Sequence, residues 1–255
     1  MIVVEKTIID NRIPTLHIVK DENKDKPSPF VIFIHGFNSL KEKNLHYAYL
    51  LAEKGFRVAL PESIYHGERS KDMKEDELKM HFWNIVIHTI DEIEQVKDYF
   101  LSKKIIDETR IGLAGTSMGA IITFGALKKY SWIKVATSLM GYPCYKDLAL
   151  HQLKYIETNI GISITKQQVE RELSKLDDYD LGQSNEKLAG RPLLFWHGQL
   201  DDVVPHEGAY DFYQNVKPMY VNYPHRLSFI SDPDEGHSVS NQGIMETVAW
   251  FVQHL

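Results

Sequence analysis

The sequence predicts a doubly wound α/β fold: a mostly parallel sheet with an antiparallel hairpin at its N-terminal edge and a small helical insertion. Three observations carry this. Phe30-Val31-Ile32-Phe33-Ile34 is an unbroken apolar run, which suits a strand buried on both faces. From there to the C-terminus, short apolar runs alternate with stripes at helical spacing. A single stretch, Gly141 to Gly190, breaks that rhythm.

Taken in order, Ile2 to Ile9 and Ile13 to Val19 are β-branched stretches separated by the polar turn Asp10-Asn11-Arg12, which predicts a hairpin. The central strand follows Pro27 and Pro29. A helix is expected around Leu40 to Lys54, a strand at Arg57 to Leu60, and a long helix from about Asp76 to Leu101. In that helix Phe82, Ile85, Val86, Ile90, Ile93, Val96 and Phe100 form the stripe that packs on a sheet. Next come a strand at Arg110 to Ala114, a helix starting near Ser117, and strands at Val135 to Met140 and Pro192 to Trp196. A helix at His206 to Val216, a strand at Arg226 to Ser231 and a closing helix at Ser240 to His254 complete the series. The interrupting stretch is ~50 residues where such connections take a handful, so it should carry structure of its own. Val169, Leu173 and Leu176 place one amphipathic helix in it. At 255 residues the chain is expected to be one domain, 1–255, with residues 142–189 as a cap or lid within it.

Composition removes several function classes. The net charge is -6 and Lys and Glu are interleaved, so no basic footprint for nucleic acid exists. No apolar run approaches the length of a membrane span, and charge appears within the first five residues, which predicts neither anchor nor signal peptide. Cys144 is the sole cysteine, so no internal disulfide can form and a cytoplasmic location is expected.

The chemistry gathers at four loops. Gly115-Thr116-Ser117-Met118-Gly119 lies directly between the strand Ile111 to Ala114 and the helical run Ala120 to Thr123. A nucleophilic serine needs that form, because it must sit on a strained strand-to-helix turn where flanking side chains would meet neighbouring backbone. The helix N-terminus beneath adds positive potential, and the Met118 N–H points to where an oxyanion would form. His35-Gly36-Phe37 follows the central strand, and the Phe37 N–H is the candidate second oxyanion donor. A simple turn at Gly36 and a buried hydrogen bond at His35 would explain the same residues without chemistry. His197-Gly198-Gln199-Leu200-Asp201-Asp202-Val203-Val204-Pro205 presents a carboxylate at the end of a strand, where it could hold a histidine in its productive tautomer. Spacing does not choose between Asp201 and Asp202. His237 is one of twelve histidines, and its place after the last strand, completing the order Ser, Asp, His, selects it as general base.

With these residues the sequence resembles the α/β-hydrolase superfamily from Phe30 to Leu255. Within it the chain is similar to the dienelactone hydrolase and prolyl oligopeptidase branch, particularly the bacterial YitV-type esterases. The motif His-Gly-x-x-Asp-x-x-Val-Pro of that branch carries the acid at its fifth position, which implies Asp201. No N-terminal propeller is expected, and the elbow offers Ser117 where dienelactone hydrolases have cysteine. Pro61 to Arg69 resembles an Asp-x-x-Gly-His-Gly loop of many relatives, with Glu62 and Tyr65-His66-Gly67 in its place; it is expected to form pocket wall, with His66 structural.

The resemblance implies a serine hydrolase that needs no metal or organic cofactor and acts on a small-molecule acyl substrate, with carboxylesterase action leading. An aminopeptidase or acyl-peptidase using Asp147 or Glu157 for the substrate amine, a thioesterase or deacetylase, and a non-catalytic binding protein are the alternatives. The pocket is expected to draw on His35, Gly36, His66, Tyr142 and Tyr145, with Leu150 and Tyr155 of the insertion covering it; an equal alternative is that those insertion residues form only its own small core. Oligomeric state is not readable.

Overall fold

A computed structural model describes residues 1–160 and 165–255; the expected role of Tyr155 falls on a side chain outside those described. One eight-stranded sheet organises the molecule. Its strands are β1 (Ile2–Ile9), β2 (Ile13–Lys20), β3 (Ser28–Ile34), β4 (Arg57–Pro61), β5 (Ile106–Thr116), β6 (Val135–Leu139), β7 (Leu193–Gly198) and β8 (Leu227–Asp232). They lie in the order β1-β2-β4-β3-β5-β6-β7-β8. β1 and β2 are antiparallel, β2 meets β4 antiparallel, and every later pairing is parallel. The hairpin turns at Asp10 and Asn11, both left-handed at φ 49° and 55°, a conformation these two residue types tolerate.

The alternation of β3 shows why its run Phe30 to Ile34 is apolar throughout. Phe30, Ile32 and Ile34 join a core with α3 (Phe82–Ser102), α4 (Met118–Lys129) and α7 (His206–Val216). Val31 and Phe33 point the other way, into a core with α1 (Leu45–Glu53) and α8 (Asn241–His254). A strand with two covered faces favours apolar side chains at successive positions.

The helix expected from Asp76 to Leu101 is two helices, α2 (Glu75–Met80) and α3, meeting at His81. His81 closes α2 with a tightened turn, its N–H donating to the Leu78 carbonyl at 3.0 Å. α2 buries no residue, whereas α3 must pack, and the bend carries Phe82 to Phe37 and Trp83 to Tyr145. The connection from β6 to β7 holds α5 (Tyr145–Ile160), α6 (Lys166–Ser174) and two short 3-10 turns. Val169 and Leu173 lie on α6, and Leu176, just past its end, is 1% exposed. Among the described residues no helix is long and apolar enough to cross a membrane.

Candidate active site

The loops that follow β3, β5, β7 and β8 come together at the carboxyl ends of the parallel strands, where open α/β sheets hold their ligands. Between β5 and α4, Ser117 takes φ 54° and ψ -116°, a conformation that costs a non-glycine residue about 1–3 kcal/mol. The fold holds it there. The Ser117 N–H donates to the Leu139 carbonyl of β6 at 2.8 Å, and its own carbonyl accepts from Ala120 and Ile121 at 2.9 and 3.0 Å. The flanking glycines are required by contact: a Cβ on Gly115 would lie 2.3 Å from the Gly119 carbonyl, and one on Gly119 would lie 2.1 Å from the Ile34 oxygen.

His237 stands on the loop between β8 and α8. Its Nε2 is 2.8 Å from Ser117 Oγ and its Nδ1 is 2.8 Å from Asp201 Oδ2. A carboxylate can only accept, so Nδ1 carries the proton and Nε2 is left to accept from the serine hydroxyl. The two loops that supply acid and base are laced to each other, Gln199 N–H donating to the Asp232 carbonyl at 2.8 Å and Leu200 N–H to the Glu235 carbonyl at 3.0 Å.

Asp201 is the acid that meets His237, while Asp202 is exposed. The Asp201 side chain has no exposed surface. Its Oδ1 accepts from the N–H groups of Val203 and Val204 at 2.9 and 2.8 Å, and its Oδ2 also faces His197 Nε2 at 3.2 Å. Burial alone would raise its pKa. The hydrogen bonds from His197, His237 and Val204 outweigh that and hold it well below the ordinary carboxylate range.

Gly36 sits against the elbow: a Cβ there would lie 3.4 Å from Ser117 Cβ. Residues Gly36 to Ser39 form a turn closed by the Ser39 N–H on the Gly36 carbonyl at 3.3 Å, with Asn38 left-handed at φ 55°. In such a turn the N–H of the second residue, Phe37, has no partner within the turn. Met118 is the first residue of α4, so its N–H is one of those a helix cannot use internally. Met118 adjoins Ser117 in the chain, and Phe37 directly follows Gly36, which packs against the Ser117 Cβ.

Residues 43–255 match the model of the prolyl oligopeptidase family. The chain belongs to the prolyl oligopeptidase family. Over 256 residues, 100% of each chain, it is 48% identical to a Bacillus subtilis (strain 168) protein named "Putative esterase YitV". Esterase YjfP of Escherichia coli (strain K12) is 27% identical over 243 residues, 95% of this chain and 96% of that one. Among solved structures, TT1662 from Thermus thermophilus matches 100% of both chains with a TM-score of 0.76 at 18% identity, a likeness of fold. The mixed sheet with its N-terminal hairpin is that of an α/β-hydrolase, and the protein is a hydrolase.

Within this prolyl oligopeptidase-family chain, two residues expected in the substrate pocket are enclosed. His35 is 0% exposed: its Nδ1–H donates to the Gly36 carbonyl at 2.8 Å and its Nε2 accepts from the Ser63 N–H at 3.1 Å. Tyr145 is 0% exposed as well, its hydroxyl accepting from the Gly125 N–H at 3.0 Å and donating to the Ile121 carbonyl at 2.5 Å. Both were expected in the pocket because they neighbour it in sequence; in space their rings turn into the core. His66 is buried, and Tyr142 is buried against Gly208 of α7. Leu150 is exposed.

Two features had no sequence signal. His197 lies in the quoted His-Gly motif, but only the fold shows its ring against the Asp201 carboxylate. Lys41, 1% exposed, pairs with Glu62 at 2.7 Å and Glu68 at 2.7 Å. Partners 21 and 27 residues apart leave no periodic trace.

Proposed function

We propose that the protein is a serine carboxylesterase acting on small to medium acyl esters, with Ser117 as nucleophile, His237 as general base and Asp201 as the orienting acid. The observation that carries this reading is the unbroken chain of 2.8 Å contacts from Ser117 through His237 to Asp201, at a strained turn over a helix N-terminus.

In the first half-reaction His237 Nε2 takes the proton of Ser117 as Oγ attacks the ester carbonyl. The N–H groups of Phe37 and Met118 hold the oxyanion, and His237 then gives its proton to the departing alcohol. Water, deprotonated by the same nitrogen, releases the acid in the second half. Asp201 stays ionised throughout and favours the imidazolium that forms transiently. His237, 22% exposed, is open to the water that deacylation needs. The acyl group rests beside the partly buried rings of Phe37 and Phe82, 5.7 Å apart, and residues 142–189 act as the cap that limits its size. The two curated relatives named as esterases support ester over peptide.

A series of p-nitrophenyl esters of rising chain length, run beside aminoacyl-anilides, tests the assignment. Esters of short or middle length should be turned over fastest. Faster turnover of anilides would make the protein a peptidase.

A further inference from the structure

The turn that carries the Phe37 N–H is braced from both sides by buried histidines, and the bracing is reciprocal. His35, at the end of β3, accepts the N–H of Ser63 on the loop after β4; His66, on that loop, has its Nε2 against the N–H of Asn38 in the Phe37 turn at 3.3 Å. Each ring spends its other nitrogen on a carbonyl, His35 Nδ1 on Gly36 at 2.8 Å and His66 Nδ1 on Ile64 at 2.9 Å. The rings are tilted against each other at 5.1 Å, and the Phe37 ring meets His66 edge-on at 5.5 Å.

These contacts fix both tautomers. A carbonyl can only accept and a backbone N–H can only donate, so each ring is neutral with its proton on Nδ1. Glu62 Oε1 also lies 3.3 Å from His35 Nε2, but that carboxylate is met by the Lys41 N–H at 3.1 Å and, through its other oxygen, by the Lys41 ammonium at 2.7 Å, while the Ser63 N–H is the closer group to Nε2. For His35, moving that proton to Nε2 would set a bare Nδ1 lone pair against the Gly36 oxygen and leave the Ser63 N–H buried without an acceptor. Burial lowers the pKa of both rings, that of His35 to about 4, so the neutral form persists at neutral pH.

The Gly36 carbonyl and the Phe37 N–H belong to one planar trans peptide, in which they point in opposite directions. A donor that holds the carbonyl on one side therefore aims the N–H to the other. His35 does so at 2.8 Å, closer than the Ser39 N–H at 3.3 Å, which is the second donor to the same oxygen. His66 fixes the following peptide through Asn38, so the peptides on both sides of Phe37 are held.

We propose that His35 and His66 are positioning residues of the oxyanion site, aiming the Phe37 N–H at the substrate oxygen without touching substrate. This rests on the reading of Phe37 as an oxyanion donor in a Ser117 hydrolase. Catalysis by such donors depends on their being aimed before charge develops, so a misaimed donor lowers kcat and leaves ground-state binding nearly intact.

Amide side chains separate the two nitrogens of each ring. Asparagine places its N–H near the Nδ1 position, and glutamine reaches the Nε2 position. His35→Asn keeps a donor for Gly36, and His66→Gln keeps an acceptor for Asn38. His35→Gln and His66→Asn keep the other bond and lose the one that aims Phe37. The latter two should lower kcat on a p-nitrophenyl ester by roughly tenfold or more with KM within about twofold, while the former two stay within about threefold of wild type. A purely structural role predicts no such crossed pattern, and equal kcat across each pair would overturn the proposal. Long-range 15N–1H spectra of the wild-type histidines at neutral pH give a test independent of variant folding: Nδ1–H tautomers are expected for both residues, and an Nε2–H tautomer or a charged ring at either would overturn it. Ser117→Ala separates the two levels. If that variant retains wild-type turnover, the serine-hydrolase reading itself fails; if it is inactive and the crossed pattern is absent, only the positioning role fails.

Discussion

Asp201 carries its charge where water does not reach, and the residues around it explain how. Three hydrogen-bond donors converge on its two oxygens, the N–H groups of Val203 and Val204 and the ring of His237, and His197 Nε2, which donates to the Val204 carbonyl at 2.9 Å, stands 3.2 Å from the same carboxylate. An ionised buried carboxylate is tolerable only when its lone pairs are met in this way. Asp202, one residue on, points to solvent. Spacing left the two open, resemblance to a family motif favoured the first, and the difference in burial is the physical reason. Asp201→Asn would present an amide that cannot orient His237 in the required tautomer, so kcat should fall on the order of 10³–10⁴-fold, with little change in fold. Asp202→Asn should leave kcat within about twofold, as expected for an exposed polar change. Steady-state kinetics on one ester checks both. That Ser117 and His237 would meet was legible in the chain, because the elbow motif and the order Ser, Asp, His are signals of sequence alone. The enclosure of His35 and Tyr145 was not, because sequence proximity to a pocket does not say which way a ring turns.

At the scale of elements, the strand-to-helix elbow has the least freedom. β5 must end and α4 begin within one strained residue, and the helix must approach β3 closely enough that Gly119 touches the Ile34 carbonyl. Gly119→Ala would force a Cβ to 2.1 Å from that oxygen. Because the obstacle is backbone, relief requires α4 to move off the sheet, and a loss at or above the upper end of about 1–3 kcal/mol is expected. Chemical denaturation gives the stability directly, and an unchanged midpoint would contradict the close packing described. Strand and helix identities followed from periodicity, which burial imposes on each element separately. The break at His81 did not, because the helical spacing of α2 and α3 continues across it; only the need to seat Phe82 and Trp83 against other elements shows where the chain must bend.

For the whole molecule, two buried histidines tie stability to pH. His17, beside Arg57, Glu5 and Lys24, and His35, beside His66, Glu62 and Lys41, both have pKa values lowered to about 4, chiefly by burial. The ordinary histidine value is about 6.5. Between those values the unfolded chain binds protons that the native state refuses, so the native state loses stability as pH falls. Each histidine contributes a slope of up to about 1.4 kcal/mol per pH unit. Thermal unfolding followed from pH 7 to pH 4.5 should show a steadily falling midpoint, and a flat or rising one would contradict the neutral buried rings. The sequence holds both histidines in plain view, but their partners come from strands and loops up to 40 residues away, so their burial becomes visible only with the fold.

The central claim is that one serine, poised by one histidine, is the nucleophile of this hydrolase. Labelling with a fluorophosphonate probe, followed by intact-mass and peptide analysis, measures it directly. The account predicts about one probe per wild-type chain, attached to Ser117, with labelling abolished in Ser117→Ala. Wild-type protein that stays unlabelled, or a Ser117→Ala variant labelled as fully as wild type, would contradict it.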